Sequence, residues 1–435
     1  MTETMEERIA AFPQILEPEF IMASPDEPIR LASGSMELLR DGQLLGYLQG
    51  EVTIEWVPKL EIICAGESDA DLAEVFYKGH VQLHIPQLGL VAEAFVEEAK
   101  LGRPCRFRLS LAKDANSEWH ETQQVRFYLV NFPCTLGEPV RMGRGPLTGL
   151  SRDRLSMKAG PLVCTIDRIG QAGHLDTGKA RPGLLLTHVG EIQNSERLIA
   201  PSEVEEILDA LYWLFAFMRG AKTGPVLPSM DFPFAAHWFS VSPWRVDEAR
   251  RVDSWLPVRS PVNVDSLFAG FIDKWKDSLW NEALRTTIAW YIAANAPSTP
   301  SEAKIPLCQI ALEVLASLQG LEHGVAYKRI RSLLQVVNIP TDVPERLPAL
   351  VRYATENRID APECLTRIRN KLEHPTRKNR QAAGAVDGIT RFQAAQYGIE
   401  LLELCLLAIM NYRGKYARRA FQGWKGDDEV PVPWA

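Results

Sequence analysis

The stretch Glu51-Val-Thr-Ile-Glu-Trp-Val57 alternates polar and apolar side chains, and a period of two is typical of a β-strand with one buried face. The same alternation recurs at 81–85, 105–111 and 125–130, with glycine and proline between the runs. Many short strands separated by turns predict a sandwich or a barrel. We therefore predict a β-rich domain over residues 1–200.

The periodicity changes after Pro201. Ser202 is predicted to cap a helix there, because two glutamates follow within one turn. Residues 201–262 are predicted to be a connecting helix and an ordered segment rich in proline and tryptophan. From residue 263 to 425 every periodic segment is helical, which predicts a bundle of roughly five or six helices. The predicted fold class is α+β, with a β-rich N-terminal domain followed by an all-α C-terminal bundle. A short helix is also predicted near residues 90–100, and the first helix of the bundle is predicted to span residues 267–294.

Charge is distributed unevenly along the chain. The 435 residues carry 48 Lys and Arg against 55 Asp and Glu, a formal net charge of −7. Residues 303–425 reverse that balance with 19 basic and 11 acidic residues, which leaves 29 and 44 in the rest of the chain. A basic block on an acidic chain predicts a polyanionic partner for the block. The acidic β-rich domain is then predicted to act as a sensor or regulator.

Composition argues against several classes of protein. The acidic N-terminus lacks the basic and apolar regions of a secretory signal, and no apolar run approaches the ~20 residues of a membrane span. The seven cysteines are scattered and form no Cys-x-x-Cys pair, so a disulfide framework or a cysteine-based zinc site is not expected. We predict a cytoplasmic protein that uses no metal and no cofactor.

The most informative stretch lies in the basic block. Residues 364–380 read Cys-Leu-Thr-Arg-Ile-Arg-Asn-Lys-Leu-Glu-His-Pro-Thr-Arg-Lys-Asn-Arg. Leu365, Ile368 and Leu372 share one helix face, which predicts that this face packs inward. Six basic and two acidic residues lie between residues 361 and 380. The stretch is therefore predicted to be an amphipathic helix with a basic outer surface.

Arg369 and His374 are predicted to converge at the end of this helix. Five residues separate them by roughly 140° on an ideal helix, so they would diverge if the helix continued. Pro375 disfavours the helical conformation at the residue before it, so the helix should end near His374. The imidazole can then turn back toward Arg369.

This pair of side chains suits the cleavage of a phosphodiester without a metal ion. An imidazole can move the proton of an RNA 2′-hydroxyl, and a guanidinium can stabilise charge on the phosphate oxygens. His374 is the predicted general acid and base, Arg369 the transition-state clamp and Asn370 an orienting residue. The basic side chains predicted to hold the RNA backbone are Arg367, Lys371, Arg377, Lys378 and Arg380.

At these residues the chain resembles the HEPN superfamily of ribonucleases. The signature of that family is Arg, then Asn, Asp or His, then a short spacer ending in His, and residues 369–374 read Arg-Asn-Lys-Leu-Glu-His. The resemblance covers roughly residues 263–425 and is nearest to the Apea-like domains of abortive phage-exclusion proteins. It implies a metal-independent endoribonuclease that leaves a 2′,3′-cyclic phosphate. It also implies a homodimer with one composite site, an anti-phage role and a phage-derived trigger at the N-terminal domain.

Simpler interpretations stay open for the same residues. Arg369 and His374 can form an ordinary helix end, or the bundle can serve dimerisation or binding without catalysis while the β-rich domain binds a ligand. Glu313, on an otherwise apolar helix, is a candidate partner for Arg369, although the simpler interpretation, that it faces solvent, is favoured. Seven of the 11 tryptophans fall between residues 201 and 300, and we expect them in the core between the domains.

Overall fold

The N-terminal part of the chain is a closed β-barrel. The computed structural model describes residues 9–57, 60–70, 80–98, 104–110, 121–143, 149–170, 183–230, 246–248, 252–373, 386–420, 423–424 and 426–435. The barrel has the antiparallel order β1-β2-β3-β6-β5-β4. Its strands are β1 (Ile29–Arg40), β2 (Gln43–Glu55), β3 (Glu61–Ser68), β4 (His80–Ile85), β5 (Leu90–Glu98) and β6 (Cys105–Ser110).

A second β unit follows the barrel and is an open six-stranded antiparallel sheet. Its order is β12-β7-β11-β10-β9-β8. Its strands are β7 (Gln124–Val130), β8 (Glu138–Met142), β9 (Gly149–Ala159), β10 (Leu162–Arg168), β11 (Leu186–Asn194) and β12 (Pro225–Met230). The last strand, β12, comes after the first long helix and pairs with β7 at the edge of the sheet.

The C-terminal part is helical and closes with a small hairpin. The helices are α1 (Pro201–Arg219), α2 (Asp265–Trp275), α3 (Ser278–Asn295), α4 (Ser301–Leu318), α5 (Ala326–Val336), α6 (Pro348–Asn357), α7 (Ala361–Glu373) and α8 (Gly388–Ile409). The hairpin pairs β13 (Lys415–Ala417) with β14 (Glu429–Pro431). The predicted α+β class, with β structure before a helical bundle, is confirmed.

The open sheet lies between the barrel and the helices because its strands are apolar on both faces. In β7, Val125, Phe127 and Leu129 belong to the core shared with the helices. Tyr128 and Val130, which point to the opposite face, belong to the core shared with the barrel. Side chains alternate across a strand, so one short segment contributes to two cores. The structure is therefore layered as barrel, sheet and helices.

Three local predictions differ from the structure. The segment near residues 90–100, predicted as a short helix, forms β5, because it pairs with β4 and β6 to close the barrel. The predicted long helix Leu267–Ala294 is interrupted between α2 and α3, where the Asp277 carboxylate caps the backbone N–H of Leu279 at 2.9 Å. Helix α1 begins at Pro201 with Ala200 as its N-cap, so Ser202 lies inside the helix.

The described tryptophans between residues 201 and 300 pack in or against the core shared by the sheet and the helices. Trp255 is fully buried, and its indole N–H donates to the Phe217 carbonyl at 3.1 Å. The other described tryptophans between residues 201 and 300 pack against the core of the sheet and helices; they are Trp213, Trp275, Trp280 and Trp290. Trp238 and Trp244 lie outside the described residues. In the described segments these side chains therefore serve packing.

Helix α8 is the central helix of the bundle. It is the one described helix that is long and apolar enough to cross a membrane, and 83% of its apolar window is buried inside the fold. Its side chains contact the same core as those of α3, α4, α6 and α7. Such burial is typical of a helix in the core of a folded domain.

Helix α2 approaches α8 closely at Gly270, and this contact provides a test of the packing. A Cβ atom on Gly270 would lie 2.1 Å from the Met410 carbonyl oxygen. We expect Gly270→Ala to lower the free energy of unfolding by about 1–3 kcal/mol, because the backbone must shift to admit the methyl group. Gly388→Ala is the matched control, since a Cβ there meets nothing within 4 Å. Urea unfolding of both variants measures the difference, and equal stabilities would contradict the packing.

Candidate functional site

The exposed end of α7 carries the predicted catalytic arginine. Arg369 Nη1 donates to Asn370 Oδ1 at 3.1 Å, so the two predicted site residues are joined directly. The Arg369 guanidinium also forms an ion pair with Glu373, one turn later. Its Nε is nevertheless without a hydrogen bond among the described residues, so the contact with Glu373 is electrostatic and not well aligned. The Arg369 side chain is 28% exposed, so a ligand in solvent can reach it.

Two neighbouring cations on α7 are also engaged. Arg367 Nη2 lies 2.6 Å from the Glu363 carboxylate, again one helical turn away. Lys371 Nζ donates to the Tyr353 hydroxyl of α6 at 3.1 Å and lies 5.2 Å from the centre of that ring. Of these three cations, Lys371 contacts α6, whereas Arg367 and Arg369 pair with glutamates of their own helix. The remaining predicted site residues, His374, Arg377, Lys378 and Arg380, lie outside the described residues.

Glu313 does not take its predicted partner. Its carboxylate forms an ion pair with Arg329 of α5 and accepts a hydrogen bond from Gln309 at 2.9 Å. Helix α4 contacts α5 at this level, so the carboxylate meets the cation of that helix and not Arg369. Arg369 is instead oriented from within its own helix.

Ion pairs neutralise much of the charge in the basic block. Seven arginines of residues 303–425 lie within 4.0 Å of a carboxylate in the described structure. They are Arg329, Arg331, Arg346, Arg367, Arg369, Arg391 and Arg419. The field outside the bundle is therefore weaker than the residue count suggests.

The most strongly buried charges form a network that the sequence reasoning missed. Arg419 donates to both oxygens of the Glu403 carboxylate, from Nε at 2.8 Å and from Nη2 at 2.6 Å. Tyr291 of α3 donates to the same carboxylate at 2.7 Å. The backbone N–H of Arg419 donates to Glu400 at 3.0 Å, and Glu400 also pairs with Arg346. The network joins the C-terminal segment to α8, α3 and the segment before α6.

The buried network changes the proton affinities of its members. Burial raises the pKa of Glu400, although Arg346 favours its charged form. Burial lowers the pKa of Arg419, but the charge and hydrogen bonds of Glu403 outweigh it, so the net pKa lies above the usual value. Two carboxylates three residues apart within an apolar helix were the available signal, because buried charges need partners. Their partner arginines are remote in sequence, and no spacing rule identifies them.

Metal-binding clusters provide no alternative site in the described segments. No group of three or more His, Cys, Asp or Glu side chains is arranged there to hold an ion. His84 lies 2.9 Å from Glu37, and His80 lies beside the Phe95 ring on the outer face of the barrel. These two histidines both lie on β4, and each contacts a different residue.

Two parts of the chain, one containing the sheet and one containing most of the helical bundle, match known family models. Residues 277–429 match the family model of the YopA C-terminal domain, and residues 117–252 match that of the YopA central domain. The chain is similar to YopA. It is 25% identical over 430 residues to the SPbeta prophage-derived uncharacterized protein YopA of Bacillus subtilis (strain 168), with 93% of this chain and 94% of that protein covered. No solved structure matches the chain.

The YopA matches correspond to structural layers. The central-domain match contains the six-stranded sheet and α1, and the C-terminal match runs from α3 to the final hairpin. The barrel lies outside both matches. The buried pair of Glu403 and Arg419 lies within the YopA C-terminal match, as does Arg369.

The resemblance to HEPN ribonucleases is wrong. The family models that match are those of YopA, and no HEPN family is found. An Arg and a His separated by four residues at the end of an amphipathic helix is a short pattern that unrelated helical bundles also contain. The chemistry of Arg369 and Asn370 must therefore be judged from their own geometry.

Proposed function

We propose that the exposed end of α7 binds RNA and cleaves its backbone without a metal ion. The observation that supports this proposal is the coupling of Arg369 to Asn370 at a partly exposed helix end that leads directly into His374. In the proposed reaction His374 takes the proton of the 2′-hydroxyl, whose oxygen attacks the phosphorus. Arg369 stabilises the charge on the non-bridging oxygens while the bond between phosphorus and the 5′ oxygen breaks. The protonated His374 then gives its proton to the leaving 5′ oxygen, and a 2′,3′-cyclic phosphate remains.

The test is RNA cleavage by the full chain in buffer containing EDTA. We expect Arg369→Ala to slow cleavage by about 10²–10³, since it removes a transition-state clamp, and His374→Ala by about 10²–10⁴. Matched controls are Arg413→Ala and His323→Ala, which remove an exposed side chain of the same type outside α7. Cleavage that is lost in EDTA, or that survives in both site variants, would refute the mechanism.

A non-catalytic binding module is the second candidate. Both arginines of α7 are already paired with glutamates, which suits a surface that binds without chemistry. The barrel offers a further candidate binding surface. His80, Phe95 and Arg108 lie side by side on the neighbouring strands β4, β5 and β6. The Arg108 guanidinium lies 5.4 Å from the centre of the Phe95 ring. RNA binding without cleavage in the same assay would favour this candidate.

Several expectations accompany the proposal and stay predictions. They are a homodimer formed through the helical bundle, a phage-derived trigger at the N-terminal region, an anti-phage role and a cytoplasmic location. The similar protein from Bacillus subtilis is of prophage origin, which supports a connection with phage biology. The predicted boundaries at residues 200 and 262 also stay predictions.

A further inference from the structure

Helix α7 carries two ion pairs, each between a glutamate and an arginine four residues apart, and the order of the two residue types is reversed between the pairs. Glu363 precedes Arg367 by four residues, and Glu373 follows Arg369 by four residues. A glutamate near the N-terminus of a helix is stabilised by the helix dipole, whereas a glutamate in the last turn is opposed by it. The pair made by Glu373 is therefore the weaker of the two.

The surroundings of the two glutamates increase this difference. Glu363 has a second cation, since Arg331 Nη2 lies 3.5 Å from its carboxylate. Glu373 has Arg369 as its one ion-pair partner among the described residues, and its side chain is 30% exposed. Among the described residues the Arg369 guanidinium makes one aligned hydrogen bond, to Asn370, and its buried Nε lies against the Glu373 carboxylate without an aligned hydrogen bond. A bidentate ligand that uses this Nε must therefore displace the carboxylate.

We propose that Glu373 is an internal competitor that occupies the phosphate position on Arg369 in the free protein. The inference rests on the proposed RNA site and names its regulation. A backbone phosphate carries one negative charge, as does the Glu373 carboxylate, so displacement exchanges one anion for another. Two phosphate oxygens match the guanidinium fork better than the poorly aligned carboxylate does. Glu373 thus raises the Kd for RNA, so that a higher RNA concentration is needed to occupy the site.

The test measures binding separately from cleavage. The probe is a fluorescein-labelled single-stranded 2′-O-methyl RNA, which lacks the 2′-hydroxyl needed for cleavage, and the readout is fluorescence anisotropy at several salt concentrations. We expect Glu373→Gln to lower Kd by about two- to fivefold, the range of a partly exposed ion pair. The slope of log Kd against log salt concentration should steepen by roughly 0.7, as for one added phosphate contact.

Glu302→Gln is the matched control, because it removes the same charge from the helical bundle and frees Arg391, which lies outside α7 and the predicted RNA site. Its Kd should stay within about twofold of the original. The double variant Arg369→Gln/Glu373→Gln should lose the gain of Glu373→Gln. Equal tightening by both single variants would indicate a general effect of charge and overturn the inference.

The remaining outcomes separate this inference from the proposed function. Binding by the original chain with no gain in Glu373→Gln overturns the competitor and leaves the RNA site standing. The absence of binding by the original chain and by every variant overturns the RNA site and the competitor together. Binding with the expected gain, but without cleavage of ordinary RNA, supports the competitor and overturns the proposed catalysis.

Discussion

Arg419→Met is expected to lower the free energy of unfolding of the helical bundle by about 3–5 kcal/mol. The substitution removes the one cation that contacts both oxygens of Glu403, while the Glu403 side chain has no exposed surface. A buried carboxylate without its partner keeps its cost of desolvation and loses the attraction that offset it. Denaturant unfolding followed by tryptophan fluorescence and far-UV circular dichroism measures the change.

The position of Arg419 explains why the loss should be large. Besides Glu403, its guanidinium donates to the Asp253 carbonyl at 3.1 Å, and its backbone N–H donates to Glu400. The residue therefore joins the C-terminal segment, the segment before α2 and the core helix α8. Loss of the side chain leaves Glu403 with the Tyr291 hydroxyl but no described cation, and it removes one of two donors to the Asp253 carbonyl, which Asn295 also contacts. Lost hydrogen bonds to buried charged groups cost roughly 1–3 kcal/mol each.

A double variant separates charge from packing. Arg419→Met/Glu403→Gln should recover most of the lost stability, since a neutral amide needs no cation and can still accept from Tyr291. Arg413→Met is the control, because Arg413 is exposed and donates only to the Trp434 carbonyl among the described residues. Its effect should stay within about 0.5 kcal/mol. A double variant no more stable than Arg419→Met would show that packing, not charge, explains the loss.

Periodicity was sufficient to predict the fold class but not its layers. The strand Val125–Val130 was recognisable because apolar and β-branched residues dominate it, and the bundle was recognisable from helical spacing. That β7 supplies two cores, and that the β structure divides into a barrel and a sheet, depends on pairing between strands remote in sequence. The helix predicted near residues 90–100 failed for the same reason, since barrel closure overrides local preference.

Only some contacts of the candidate site residues follow from the sequence. Arg369 and Asn370 are adjacent and share a hydrogen bond, whereas Glu313, considered as a partner for Arg369, pairs with Arg329. Glu373 is in the same helix and satisfies the i, i+4 rule, so the sequence contained this signal. The pair of Glu403 and Arg419 could not be derived in this way, because the contact forms only when the C-terminal segment folds back on α8.

His188 is expected to make the protein lose stability as the pH falls below about 6.5. The side chain lies on β11, fully enclosed, with the Phe132 ring packed edge-on at 5.4 Å between ring centres. Burial and, to a lesser extent, the charge of Arg168, its cross-strand neighbour, together lower the pKa of His188 to about 3. The folded protein therefore holds this imidazole neutral at a pH where the unfolded chain protonates it.

The sign of the effect follows from the two protonation states. Between pH 6.5 and 3 the unfolded chain binds more protons than the folded one at this position, so stability rises with pH and is complete above about 6.5. Each unit of pKa difference corresponds to about 1.4 kcal/mol, which gives about 2 kcal/mol between pH 6.5 and pH 5. Glu400 acts in the opposite direction, because burial raises its pKa and its ionisation opposes folding.

Urea unfolding at pH 7.5 and pH 5 tests this expectation, above the range in which most carboxylates titrate. His188→Gln keeps a polar side chain that does not ionise. Between pH 7.5 and pH 5 the free energy of unfolding should fall by about 2 kcal/mol less in this variant than in the original chain. Glu400 is present in both proteins, so its contribution to the pH dependence of stability cancels in the comparison. His323→Gln, at an exposed histidine between α4 and α5, should retain the original pH dependence. If His188→Gln loses as much stability on acidification as the original chain does, the buried imidazole is not the cause of its acid sensitivity.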